Sequence, residues 1–285
     1  MKEKIVLSAD STCDLGEELG KRYNVNYYPF HIIVGDKEYR DGVDITPNDI
    51  YKAYRNEKIL PKTAAIGVGE YVEYFRPFVE QGYKVIHLNL GGALSSAYQN
   101  CCLAAEELGG NVYPINSCSL STGVGLLVIE AADMIKKGMC AEEIQSEIKN
   151  LIPKVHASFV LDTLEFLKAG GRCSALASFG ASLLKIKPCI EVDNTSGNMH
   201  VGKKYRGNIN KVLMEYTSDI LDKVDEIRKN RIFIVHSGIE NDLVSMVYKR
   251  IEETKRFNEI HITCASCTIS SHCGPNTIGI MYMNI

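Results

Sequence analysis

The stretch VIHLNLGGALSSAYQNC, residues 85–101, decides the fold. Val85 to Leu90 is a short apolar run of the kind that makes a buried strand, and a helical pattern starts after Gly91, Gly92, Ser95 and Ser96. A strand that passes through a glycine turn into a helix is the unit of a parallel sheet covered by helices. Ligands of such sheets collect beyond the carboxyl ends of the strands. Gly91-Gly92 brings backbone close to something, and Ser95 and Ser96 offer hydroxyls and N–H groups at a helix start, where an anion is favoured. No activating base stands beside the serines.

The same alternation extends outward. Strands are expected over residues 5–9, 27–34, 85–90 and 112–115, with a hairpin turning at Gly35-Asp36 into 37–40. Helices are expected over 15–23, 69–80, up to 108, 120–136 and 141–151. Thr46-Pro47-Asn48-Asp49 combines a hydroxyl N-cap, proline at the first helical position and an early acid, so a helix runs from there to about residue 56. From Val155 the texture changes. Strands at 155–161, 232–235 and 278–283, a strand pair around Asn194-Thr195-Ser196-Gly197, a helix over 208–229 and one from 241 describe a second α/β unit. The expected architecture is α/β in two domains. An N-terminal parallel sheet flanked by helices (1–154) carries the loops suited to hold an anion, and a second α/β domain with a mixed sheet (155–285) follows it.

Composition narrows the function. With 285 residues, 45% hydrophobic and 24% charged, the chain can bury substantial cores. A net charge of −3, from 32 basic and 35 acidic residues, gives no electrostatic case for nucleic acid or an anionic membrane. No apolar run is long enough to span a bilayer, and MKEKIVLSADST reads as a strand after a charged lead, so the expected location is the cytoplasm. There the ten cysteines stay reduced and pack as small hydrophobes.

Each polar motif has an ordinary and a functional reading. Asp10-Ser11-Thr12-Cys13-Asp14 ends the first strand, where Asp10 and Ser11 suit both a helix cap and a ligand. Thr63, in a loop between Pro61 and Gly69, is a loop hydroxyl or a donor to an anion. Arg172 after Gly170-Gly171 and Arg206 before Gly207 are turn arginines or partners for a carboxylate or phosphate. His272, in Ser270-Ser271-His272-Cys273-Gly274-Pro275, is structural or chemical. Cys264, Cys267, His272 and Cys273 have short metal-like spacing, but they lack the second, loop-separated ligand pair of a zinc module. Neither a phosphate loop ending in Lys-Ser/Thr nor Gly-x-Ser-x-Gly is present. Hydroxyls, arginines and one histidine make an anion holder more readily than a catalyst.

In chain order these pieces resemble the DegV family of bacterial fatty-acid-binding proteins. Asp10-Ser11-Thr12-Cys13-Asp14-Leu15 is similar to the family's Asp-Ser-Thr-x-Asp-Leu, and Leu94-Ser95-Ser96-Ala97-Tyr98-Gln99 to its Leu-Ser-Gly-Thr-Tyr-Gln. Thr63 keeps the first residue of the family's Thr-Ser-Gln-Pro, with Ala64-Ala65-Ile66 replacing the rest. Gly170-Gly171-Arg172, Leu183-Leu184-Lys185-Ile186-Lys187-Pro188, Arg206-Gly207 and His272-Cys273-Gly274-Pro275 complete the series. The resemblance implies one long-chain fatty acid in an apolar tunnel, no other cofactor and no catalysis by this chain. It further implies that Thr63, Ser95, Ser96, Arg206 and His272 surround the carboxylate, and that Arg172 stands at the head group or at a contact with a fatty acid kinase subunit. Asp10 and Ser11 would lie in a nearby loop. A phosphotransferase-type enzyme acting on a small hydroxylated substrate is the alternative, weakened by the missing nucleotide loop and acidic metal cluster. A regulatory protein without a small ligand is a third reading.

Overall fold

The first strand, β1 (Ile5–Asp10), lies between β2 (Val25–Tyr28) and β6 (Lys84–Asn89), and β7 (Val112–Asn116) extends β6. All pairings in this four-stranded sheet are parallel, so the carboxyl ends of β1, β6 and β7 open on one side. The computed structural model describes residues 3–174 and 186–285. Leu183, Leu184 and Lys185 lie outside the described residues.

Helices α1 (Gly16–Arg22), α3 (Val68–Glu80), α4 (Ala97–Glu107) and α6 (Ala141–Leu151) belong to this part of the chain, as does α5 (Thr122–Lys137). The first two turns of α5 are buried throughout, from Thr122 to Ile129. That follows from its position: it packs on β1 and β6 and also on β8 (Val155–Val160) and β13 (Thr277–Asn284) of the second sheet. An apolar helix surface of this width is stable only when covered on more than one side. One continuous core accordingly runs from Leu7 and Leu88 through Leu127 to Phe159 and Met281.

The second sheet has six strands in the order β10-β9-β8-β13-β11-β12 and is mixed, because β11 (Ile227–Ser237) and β12 (Glu259–Cys264) pair in parallel while the other neighbours are antiparallel. Strands β9 (Ile186–Val192) and β10 (Met199–Arg206) form the pair expected around residues 194–197. Alternation divides this sheet into two faces. Phe159, Val235 and Met281 turn toward α5, whereas Val160, Ile234 and Ile280 pack under α8 (Ile209–Leu221) and α9 (Asn241–Glu252).

Three departures from expectation shape the site. The single strand over 27–34 is two: Pro29, which has no N–H for a ladder, and Phe30 separate β2 from β3 (His31–Val34), which leaves the first sheet. Together β3, β4 (Lys37–Arg40) and the three-residue β5 (Lys62–Ala64) make a small antiparallel sheet. The helix over 208–229 stops at Leu221, and residues from Ile227 enter β11 instead. The turn expected around His272 is a helix, α10 (Cys267–Cys273). Ile32, Ile50, Phe166 and Cys267 form a satellite core that seats α10 against α2 (Pro47–Glu57) and α7 (Glu165–Gly170). Helix α2 starts with the expected capping box: Asp49 N–H donates to Thr46 Oγ1, and Thr46 N–H to Asp49 Oδ2. Among the described residues no helix is long and apolar enough to cross a membrane.

Candidate functional site

A cavity of about 210 Å3 lies between the carboxyl ends of the first sheet and the α5-facing side of the second. Thr63, Ser95, Ser96, Arg172 and His272 all line it, brought together from four separate segments. Its remaining wall is mostly apolar, including Leu90, Leu94, Leu120, Phe159, Val235 and Met281.

The serine loop is held by backbone and buried carboxylate. Leu90 N–H donates to Asp10 Oδ2 at 2.9 Å, and Gly91 N–H donates to the Ser119 carbonyl at 2.9 Å. A Cβ on Gly91 would lie 3.0 Å from the Ser119 backbone, so the glycine is required by the neighbouring loop and not by a ligand. Ser95 Oγ accepts from Ala97 N–H at 3.2 Å, which caps the first turn of α4 and leaves the Ser95 hydroxyl hydrogen to donate elsewhere. Ser96 stands exposed beside it.

Thr63 comes from β5, in register with Ile32 of β3, and its Oγ1 lies 2.8 Å from His272 Nε2. The other imidazole nitrogen, Nδ1, is buried without a hydrogen-bond partner. Burial, reinforced by the Arg172 charge, lowers the His272 pKa to about 4, so the ring is neutral near pH 7. An orphaned acceptor costs less than an orphaned N–H, which places the proton on Nε2, donating to Thr63. The Thr63 hydroxyl hydrogen is then directed away from the histidine and can serve an anion in the cavity.

Arg172 follows Gly171, whose φ of +68° ends α7 in the left-handed conformation. Its Nη1 donates to the Gly170 carbonyl at 2.5 Å and its Nε reaches the Leu94 carbonyl at 3.4 Å. The guanidinium is exposed and ties the end of α7 to the serine loop at the mouth.

Asp10, Ser11 and Arg206 do not line the cavity. Asp10 is fully buried and accepts from Tyr71 Oη at 2.7 Å and from Leu90 N–H, with His87 Nε2 at 3.0 Å; it positions the loop without facing the cavity. Ser11 donates to Asp41 Oδ2 at 3.0 Å and lines a separate hollow with Cys13 and Asp14. Arg206 is exposed at the end of β10 and does not line the cavity, because the register of β10 puts it opposite Ile186 at the sheet edge. The cysteines near α10 do not converge either. Cys267 Sγ donates to the Ile45 carbonyl, Cys264 is exposed, and His272 is engaged by Thr63. Among the described residues the one group with metal-like spacing is Glu3, Cys140 and Glu142. Lys84 Nζ already sits 2.5 Å from Glu3 and 2.7 Å from Glu142.

Most of the lining residues missed from sequence are apolar. Phe159, Val235 and Met281 occupy alternate positions in the buried strands, which identifies them as core but not as cavity wall. Ser121 was also missed; it lines the cavity with φ of +53° and donates to Asp14 Oδ2 at 2.5 Å.

The family model described as "Uncharacterised protein, DegV family" matches residues 4–284. A DegV domain-containing protein of Clostridium acetobutylicum is 32% identical, covering 99% of each chain, and one from Clostridium perfringens is 29% identical over 99% of each. Among solved structures, a DegV family protein from Thermus thermophilus, described by its fatty acid binding, is 27% identical with a TM-score of 0.90, covering 99% of this chain and 100% of its own. A stearic acid-binding protein from Eubacterium ventriosum is 26% identical with a TM-score of 0.83, covering 99% and 98%.

Proposed function

This chain belongs to the DegV family, and on that premise we propose that it binds one long-chain fatty acid, carboxylate at the mouth and acyl chain in the cavity. The observation that carries the reading is that one cavity brings Thr63, Ser95, Ser96 and Arg172 together with a mostly apolar wall. Thr63 and Ser95 each have a hydroxyl hydrogen to give, and neutral His272 orients Thr63. Burying an acyl chain of sixteen carbons at about 0.8 kcal/mol per methylene contributes roughly 10 kcal/mol before ordering costs. The tail therefore supplies affinity and the hydroxyls supply orientation. The chain itself is a carrier, and Arg172 at the mouth is the contact through which the carboxylate is presented to a fatty acid kinase subunit.

Organic extraction of the purified protein followed by mass spectrometry tests the reading, with one fatty acid per chain expected. Delipidated protein should then be stabilised by palmitate far more than by lactate, which has a carboxylate and no tail. Ligand bound only to the folded state adds about 4 kcal/mol at a thousand times Kd. Equal shifts for the two acids would refute an acyl site.

A further inference from the structure

One wall of the cavity is the centre of the six-stranded sheet, where Gly279 of β13 faces Phe159 of β8 on one side and Val235 of β11 on the other. Gly279, Phe159 and Met281 all line the cavity. A Cβ on Gly279 would stand 3.0 Å from Met281 Cε, 3.0 Å from the Ser158 carbonyl oxygen and 3.1 Å from Phe159 Cβ. The bare face of the glycine is thus covered by the thioether end of Met281, two residues along the same face of the strand. Met281 is unbranched and has three rotatable bonds, whereas Val235 and Phe159 beside it are stiff. Rotation about its side-chain bonds is the means by which its terminal methyl would leave the hollow over Gly279.

We infer that Met281 is the adjustable part of this wall of the acyl cavity and the residue that sets which tails it accepts. With its methyl over Gly279 the hollow is closed; with the methyl turned aside, the hollow takes the last methylenes of a longer tail or the far limb of a cis-kinked one. The ligand class is therefore long-chain fatty acids of more than one length, saturated and cis-unsaturated. This inference rests on the acyl-binding reading above.

Dissociation constants for myristate, palmitate, stearate and oleate, measured on delipidated wild type, Met281→Leu and Met281→Ala, test it. Leucine conserves most of the volume but is branched and stiff. Met281→Leu should keep myristate within about twofold and lose stearate and oleate by about tenfold, the equivalent of under two methylenes. Met281→Ala opens the hollow permanently, and its stearate-to-myristate preference should rise by about tenfold. If the alanine variant does not fold, the leucine variant decides. The same tail preferences in wild type and variants would overturn the role of Met281. A wild type that binds none of the four acids would instead overturn the acyl-binding reading on which it rests.

Discussion

Nδ1 of His272 occupies the space beside Gly170 where any other residue would carry its side chain: a Cβ there would lie 2.1 Å from the nitrogen. The imidazole and the last turn of α7 can be this close only because residue 170 has no side chain. Gly170→Ala must therefore displace the ring, and with it the Thr63–His272 hydrogen bond of 2.8 Å. A loss of about 1–3 kcal/mol in stability is expected from overpacking alone, together with weaker fatty acid binding. Denaturant midpoints and a palmitate titration would show both; an unchanged titration would mean that His272 does not orient Thr63.

Thr63→Val keeps the shape of the β5 side chain and removes its hydroxyl, and Ser95→Ala removes the second donor. Each should weaken fatty acid binding by about 1.5–3 kcal/mol, the range for a hydrogen bond to a charged group. The fold should be retained. Titration with a fluorescent fatty acid measures this, and full affinity in both variants would remove the carboxylate from this loop pair.

Arg172→Ala should separate binding from presentation. The guanidinium is exposed and its two hydrogen bonds go to the Gly170 and Leu94 carbonyls, so affinity for free palmitate should change by no more than about threefold, as for an exposed charge. Acyl phosphate formation in a reconstituted reaction with a fatty acid kinase should fall much further. Normal turnover would take the mouth arginine out of the partner contact.

Two buried groups titrate with opposite sign. His272 is depressed from 6.5 to about 4, so the unfolded chain binds its proton more readily and stability is lost as pH falls from 6.5 toward 4. Asp14, raised by burial from 3.8 to about 7, retains its proton in the fold, and its contribution is lost as pH rises from 3.8 through 7. The effects are at most about 3–4 kcal/mol each. Between pH 4 and 6.5 they oppose one another. Relative to wild type, Asp14→Asn should gain stability with rising pH across that window, and His272→Gln should lose it. Urea midpoints at pH 4, 5, 6 and 7 give the two slopes; parallel curves for all three proteins would contradict the assignment.

The serine loop was legible because its signal is local: an apolar strand, two glycines and a hydroxyl pair at a helix start. The capping box at Thr46 and Asp49 was legible for the same reason. The edge strand β12 escaped notice because it is only half buried and Ile262 on it is exposed, which blurs the alternation. Helix α10 escaped because Ser-Ser-His-Cys has no apolar period; Asp41, 227 residues away from Thr268, accepts from its first N–H groups and makes it a helix. Arg206 shows the converse. A motif beside glycine gives no information about which end of a strand faces a cavity, and the register of β10 put this one outside. Met281 and Phe159 read as ordinary core, since cavity wall and core have the same composition.

Because α5 packs on β1 and β6 of one sheet and on β8 and β13 of the other, the sheets cannot swing apart like jaws without stripping that helix from one of them. On the acyl-binding reading proposed above, an acyl chain would thread in methyl end first and back out carboxylate first, past Ser95 and Arg172. Escape then brings the methylenes into water one after another, while capture requires only that the end of the tail find the opening. Chain length is consequently written into residence time: the dissociation rate should fall roughly fourfold for each added methylene, with an association rate almost indifferent to length.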